Sequence, residues 1–102
     1  MLFEIRNRNL ANLYTKGRSS KYRLPQGLAR IFVERINRIK AAHTIYDLRD
    51  PPSMQFKKLE GSKNKFSIRL NKQYRLEFEI AFEDEEKTRG KVMIVDITKH
   101  YE

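Results

Sequence analysis

Residues 66–82, FSIRLNKQYRLEFEIAF, decide the fold. Phe66, Ile68 and Leu70 alternate with Ser67, Arg69 and Asn71. After a turn at Asn71-Lys72-Gln73, Tyr74, Leu76, Phe78, Ile80 and Phe82 alternate with Arg75, Glu77, Glu79 and Ala81. A period of two sends successive side chains to opposite faces of a strand, so the stretch predicts a hairpin with one buried and one polar face. Arg69 and Arg75 fall together on the polar face, expected to meet solvent as a pair of cations that a phosphate could bridge.

Working outward, residues 56–59 read as a preceding strand carrying Lys57 and Lys58, turned at Gly61. Beyond the hairpin, Glu83, Asp84, Glu85 and Glu86 form an acidic loop closed by Gly90, and residues 91–97 supply a last strand. Upstream, residues 1–6 can pair as an edge strand. Residues 7–15 read as a helix on the spacing of Leu10, Leu13 and Tyr14, with Gly17 as its stop. Pro25 is expected to open the longest helix, whose stripe is Leu24, Leu28, Ile31, Phe32, Ile36, Ile39 and Ala42. That helix fades near His43, Thr44-Ile45-Tyr46 favours extended chain, and Asp50-Pro51-Pro52 forces a loop. The order predicts one α+β domain over residues 1–102, with two N-terminal helices packed on one face of a small, mainly antiparallel sheet.

The chain has no cysteine, which removes disulfides, thiolate zinc sites and cysteine nucleophiles together. Two histidines far apart make a metal site unexpected, and no cofactor motif of the Gly-rich, HExxH or EF-hand kind occurs. No apolar run approaches the roughly 20 residues needed to span a bilayer, so a cytoplasmic protein without membrane attachment is expected. Net charge is +9, and its placement is uneven. Residues 1–50 hold 11 Lys and Arg against 4 Asp and Glu, and residues 51–82 hold 7 against 3. Residues 83–102 hold 4 against 6, so the positive field belongs to the body of the chain. Such a field draws polyanions, although a high charge also serves plain solubility.

Metal-free RNA cleavage needs a base for the ribose 2′-OH, cations for the phosphorane, and an acid for the leaving 5′-oxygen. The tail Lys99-His100-Tyr101 offers side chains of these kinds, and His titrates near neutrality. The plainer reading of His100 is an exposed terminal side chain, and of Tyr101, packing. Arg75 must point away from Tyr74 and Leu76, with Glu77 or Glu79 as an ordinary ion-pair partner. His43 reads as a surface or cap residue without a catalytic role.

At these same residues the chain resembles the RelE/HigB superfamily of bacterial toxins from type II toxin–antitoxin systems, nearest to HigB. The resemblance runs through LARIFVERINRIKAA, DLRDPPSMQF, KKLEG, FSIRLNKQYRLEF and VMIVDITKHYE. It is densest at K-L-x-G, S-I-R-x-N and Q-Y-R-L-x-F. It implies a RelE-like fold and a toxin that enters the A site of the 70S ribosome and cuts mRNA there without metal or cofactor. It also implies a helix-turn-helix antitoxin of the HigA kind, through which alone promoter DNA would be contacted. Arg75 matches the family's phosphate-contacting arginine on the central strand. Glu60 stands in a turn where relatives often carry Lys, and Lys99-His100-Tyr101 stands where many relatives close on Asp-Tyr-His.

The expected function is therefore a ribosome-dependent mRNA endoribonuclease. Arg75, Lys99, His100 and Tyr101 are its candidate catalytic residues, and Lys57, Lys58, Lys63, Lys65 and Arg69 its candidate RNA-binding residues. The alternatives are a ParE-like toxin that poisons DNA gyrase without nuclease activity, and a noncatalytic RNA- or ribosome-binding module.

Overall fold

The computed structural model describes residues 1–99. Its elements are β1 (Phe3–Ile5), α1 (Arg8–Lys16), α2 (Leu28–Ala41), 3-10 turns at Ile45–Arg49 and Pro52–Met54, β2 (Lys57–Lys58), β3 (Lys65–Arg69), β4 (Tyr74–Phe82) and β5 (Gly90–Lys99). The sheet runs β1-β5-β4-β3-β2, with β1 parallel to β5 and every other pair antiparallel. The expected α+β architecture is borne out, including the N-terminal edge strand. The helices cover one sheet face, where Leu10, Leu13, Phe32, Ile36 and Ile39 meet Ile68, Leu76, Phe78, Ile80 and Ile94.

Asn71 sets the hairpin register. Its Oδ1 accepts from the Gln73 and Tyr74 amides, each at 2.8 Å, an Asx turn that reverses the chain in place. Arg69 is thereby held opposite Arg75, Ser67 opposite Glu77, and Lys65 opposite Glu79. From α2, Arg35 Nε donates to the Arg69 carbonyl at 3.0 Å, tying the end of β3 to the helix layer. The register of β4 with β5 slips between Glu77 and Phe78, so that Glu77 faces Asp96 while Phe78 faces Ile94. Such a bulge bends a strand and re-aims the side chains beyond it. At the other end, a Cβ on Gly90 would come within 2.0 Å of the Ala81 carbonyl oxygen. Gly90 is thus the first residue of β5, required by the close approach of β4, and not merely the end of the acidic loop.

Two local expectations are corrected. Pro25 does not open α2, because Pro25-Gln26-Gly27-Leu28 forms a turn closed by the Leu28 amide on the Pro25 carbonyl at 3.1 Å. Gly27, at φ 86°, takes the left-handed position such a turn requires, and the helix begins only after it. Of residues 44–46 only Thr44 is extended, at φ −141° and ψ 173°, whereas Ile45 and Tyr46 are not. The Thr44 side chain accepts from the Tyr46 amide, and Asp47 accepts from the amides of His43 and Thr44. These side chains outbid β propensity and start a 3-10 turn.

Candidate functional site

Alternation in β3 and β4 places Ser67, Arg69, Arg75, Glu77 and Glu79 on the sheet face away from the helices. Arg75 does not lie open on that face, as the alternation alone led us to expect: it is 4% exposed, and Ser67 beneath it is 1% exposed. Its Nε donates to Ser67 Oγ at 2.9 Å, and its Nη2 donates to the Gln55 carbonyl at 2.5 Å and the Ser67 carbonyl at 3.4 Å. Gln55 follows the Pro52–Met54 turn and has φ 46°, a left-handed conformation uncommon outside glycine. Chain from 20 residues upstream thus curls beside β3 and takes hold of the guanidinium. Arg75 is a cation anchored on two sides, with its position set by the fold.

The remaining groups on this face stand in rungs across the strands. Arg69, Arg75 and Thr98 form one rung; Lys57, Ser67 and Glu77 form the next; Lys65, Glu79 and Met93 form a third. Thr98 Oγ1 donates to Glu77 Oε2 at 2.7 Å, which fixes that carboxylate two residues along β4 from Arg75. Lys65 Nζ lies 3.6 Å from Glu79 Oε1, and Arg69 Nε donates to the Asn71 carbonyl at 3.1 Å. Cations that can neutralise a phosphate and a carboxylate that can accept a proton therefore share one face. Glu77 was read from sequence as an ordinary ion-pair partner for Arg75; its bond to Thr98 joins two strands and has no local signature.

The residues expected to form one surface divide between two. Lys57 registers with Ser67 on the Arg75 face, whereas Lys58 registers with Phe66, whose ring belongs to the core on the helix side. Lys57, Lys58 and Lys63, all exposed, line a cleft of about 470 Å³ at the β2 edge. On β5, Lys99 registers with Tyr74, and Thr98 is the residue opposite Arg75. Lys99 Nζ lies 5.8 Å from the Tyr74 ring centroid, so this lysine stands one position off the Arg75 rung. Glu60 is exposed in the turn between β2 and β3. The candidates His100 and Tyr101 lie outside the described residues.

A polar network that the sequence did not reveal steadies the end of β5. Tyr22, in the basic link between the helices, donates to Asp96 Oδ1 at 2.5 Å and accepts from Asn7 Nδ2 at 3.1 Å. Asn7 in turn caps α1, its Oδ1 accepting from the Asn9 and Leu10 amides. Burial, and then the bond to the Asp96 carboxylate, push the Tyr22 hydroxyl well above the ordinary tyrosine range. Two side chains 74 positions apart thus tie the helix layer to the strand that leads toward His100. In the acidic loop, Asp84 accepts from the Thr88 hydroxyl and from the Thr88 and Arg89 amides. These bonds, the Thr88 hydroxyl first, hold its carboxyl down to about 2.

Among the described residues, no group of three or more His, Cys, Asp and Glu is placed to hold a metal ion, and no helix is long and apolar enough to cross a membrane. Comparison with known proteins gives a consistent set of likenesses. Residues 3–97 match the family of HigB-like toxins, described as the RelE-like toxin of the type II toxin–antitoxin system HigB. Toxin HigB-1 of Vibrio cholerae is 34% identical over 80 residues, covering 78% of the chain and 83% of that protein. An uncharacterized protein of Haemophilus influenzae is 40% identical over 57 residues, which cover 55% of the chain and 56% of that relative's length. In fold, the chain is similar to a YoeB/ParE toxin from Agrobacterium tumefaciens, with a TM-score of 0.55 at 16% identity over 99% of the chain and all of that protein.

Proposed function

The chain belongs to the HigB-like toxins, the RelE-like toxins of type II toxin–antitoxin systems, and on that premise we propose that it is a ribosome-dependent endoribonuclease that cuts mRNA. The observation that carries this reading is the anchoring of Arg75 on the polar sheet face. A buried guanidinium fixed by Ser67 and Gln55 is preorganised for a charge that develops during reaction, and needs little rearrangement to meet it. Attack of a ribose 2′-oxygen on the adjacent phosphorus forms a 2′,3′-cyclic phosphate and breaks the bond to the 5′-oxygen. Arg75, with Arg69 beside it and Lys57 on the next rung, neutralises the phosphorane, and Lys65 adds positive charge from the rung beyond. Glu77 is the described carboxylate nearest in register to Arg75 that can take the 2′-OH proton. His100 and Tyr101 deliver the proton to the leaving oxygen and stack on a base, and Lys99 adds charge at the end of β5.

A type II toxin has a cognate antitoxin as its partner. In this reading that antitoxin is a helix-turn-helix protein, promoter DNA is reached only through it, and the toxin acts in the cytoplasm on the 70S ribosome. The test is mRNA cleavage on programmed ribosomes by purified toxin: cutting that Arg75→Ala or His100→Ala reduces at least a hundredfold supports the mechanism. Intact mRNA with wild-type toxin refutes it. The acidic Glu60, in a turn where the family resemblance implies that Lys is frequent, favours one second reading, a ParE-like toxin. Gyrase-linked DNA breaks with uncut mRNA in expressing cells would establish that reading instead.

A further inference from the structure

The cleft at the β2 edge has a composition that the Arg75 face lacks. Its floor is apolar, with Ile45, Phe56 and Phe66; the two phenylalanine rings are stacked with centroids 5.3 Å apart. Its rim carries Arg49, Lys57, Lys58 and Lys63, and no carboxylate lines it among the described residues. One wall is the Ile45–Arg49 turn, held by the Thr44–Asp47 capping box and by the Ile45 amide on the Thr88 carbonyl at 2.7 Å. On that wall the Arg49 guanidinium lies over the ring of Tyr46 at 4.9 Å, and Tyr46 is 55% exposed.

We propose that this cleft is a nucleotide subsite, taking one unpaired nucleotide of the RNA with its base on the apolar floor and its phosphates on the cationic rim. The inference rests on the endoribonuclease reading and extends its substrate contacts beyond the Arg75 face. Size argues for a nucleotide over a protein partner. A volume of about 470 Å³ falls in the small-ligand range of roughly 300–1,000 Å³. A stable protein partner commonly covers about 800 Å² of each surface. Rings flanked by a cationic track are also how single strands are held without base-specific hydrogen bonds. Position agrees as well, because Lys57 lines the cleft while registering with Ser67, the residue that anchors Arg75. Two interstrand spacings separate β2 from β4, on the order of 10 Å, a span that a few nucleotides cover.

The test is equilibrium binding of a fluorescein-labelled single-stranded RNA oligonucleotide to purified protein across a salt series. The cleft triple variant Arg49→Ala/Lys58→Ala/Lys63→Ala is compared with a charge-matched control, Lys16→Ala/Lys21→Ala/Lys40→Ala. Each phosphate contact contributes about 0.7 to the slope of log affinity against log salt, so the cleft triple is expected to lose about 2 from that slope. Its affinity at low salt should fall at least tenfold, with the control near wild type. A 4-thiouridine in the oligonucleotide should crosslink to Tyr46 or Phe56. Equal losses in both triples, absence of wild-type RNA binding at low salt, or loss of antitoxin binding with RNA binding intact would each overturn the subsite. Wild-type toxin that leaves mRNA uncut on ribosomes, while the cleft triple still loses its RNA slope, would sink the nuclease reading and leave the subsite standing.

Discussion

Replacing Ser67 with alanine separates a catalytic Arg75 from a merely structural one. Ser67 touches no solvent to speak of, at 1% exposure, and its Oγ receives Arg75 Nε at 2.9 Å. Ser67→Ala removes one bond to a charged donor, worth about 1.5–3 kcal/mol when buried. The carbonyls of Gln55 and Ser67 still hold Nη2, so the lower end, about 1.5 kcal/mol, is expected. With a urea m-value of about 1.5 kcal/mol/M, the unfolding midpoint should drop by about 1 M. Catalysis should lose more than stability does. A guanidinium released at Nε can swing about its remaining anchors, and a displacement of about 1 Å at a reacting centre costs on the order of a hundredfold in rate. Single-turnover cleavage of mRNA on programmed ribosomes, with toxin well below its unfolding transition, reads this directly. The expected result is a 10–100-fold slower cut with substrate binding little changed, as suits a positioning residue. A midpoint shifted as stated with wild-type cleavage would refute the reasoning and leave Ser67 and Arg75 as structural partners.

Tyr22→Phe should cost about 1–2 kcal/mol by removing the hydroxyl bonded to Asp96. Because the Tyr22 pKa is raised in the fold, its share of stability is present below the unfolded value near 10 and lost only as pH rises through the raised one. The melting-temperature gap between wild type and Tyr22→Phe should therefore hold from neutrality to about pH 10 and close above it; a gap that closes lower contradicts the network. Asp84 has the opposite sign, being held at about 2 against an ordinary 3.8, so its contribution exists above that ordinary value and vanishes as pH falls through about 2. Asp84→Ala should lower the melting temperature near neutral pH, with the difference fading in acid; a difference independent of pH would show the loop is held otherwise. Glu60→Lys puts a cation in the exposed β2–β3 turn, and RNA affinity at low salt should rise severalfold with a steeper salt dependence. A fall in cleavage on the ribosome would instead give Glu60 a role of its own.

What could be read from the sequence was whatever depends on neighbours along the chain. Alternation in 66–82 assigned both faces of the hairpin, and the helical spacing from Leu28 to Ala42 assigned the cover of one of them. The departures came from contacts between distant segments. Arg75 is buried because Gln55 reaches over β3, and no periodicity in either segment announces that approach. Lys57 and Lys58 were grouped by adjacency, yet only Lys57 registers on the Arg75 face; Lys58 registers with Phe66, and the two share only the cleft at the β2 edge. The same parity sets Lys99 off the Arg75 rung and brings Thr98 onto it. Tyr22, in a basic link, and Asp96, a single acid within an apolar strand, were each unremarked in the sequence; the bulge in β5 and the cap at Asn7 bring them together.

In the proposed function Arg75 serves the cutting of mRNA on the ribosome. That role is tested most directly by mapping mRNA 5′ ends by primer extension on programmed ribosomes, with wild-type and Arg75→Ala toxin side by side. Discrete cuts within the A-site codon are expected for the wild type, and their loss, by a hundredfold or more, for a folded Arg75→Ala variant. Cuts of equal strength with Arg75→Ala, or no cuts with the wild type, would contradict that role.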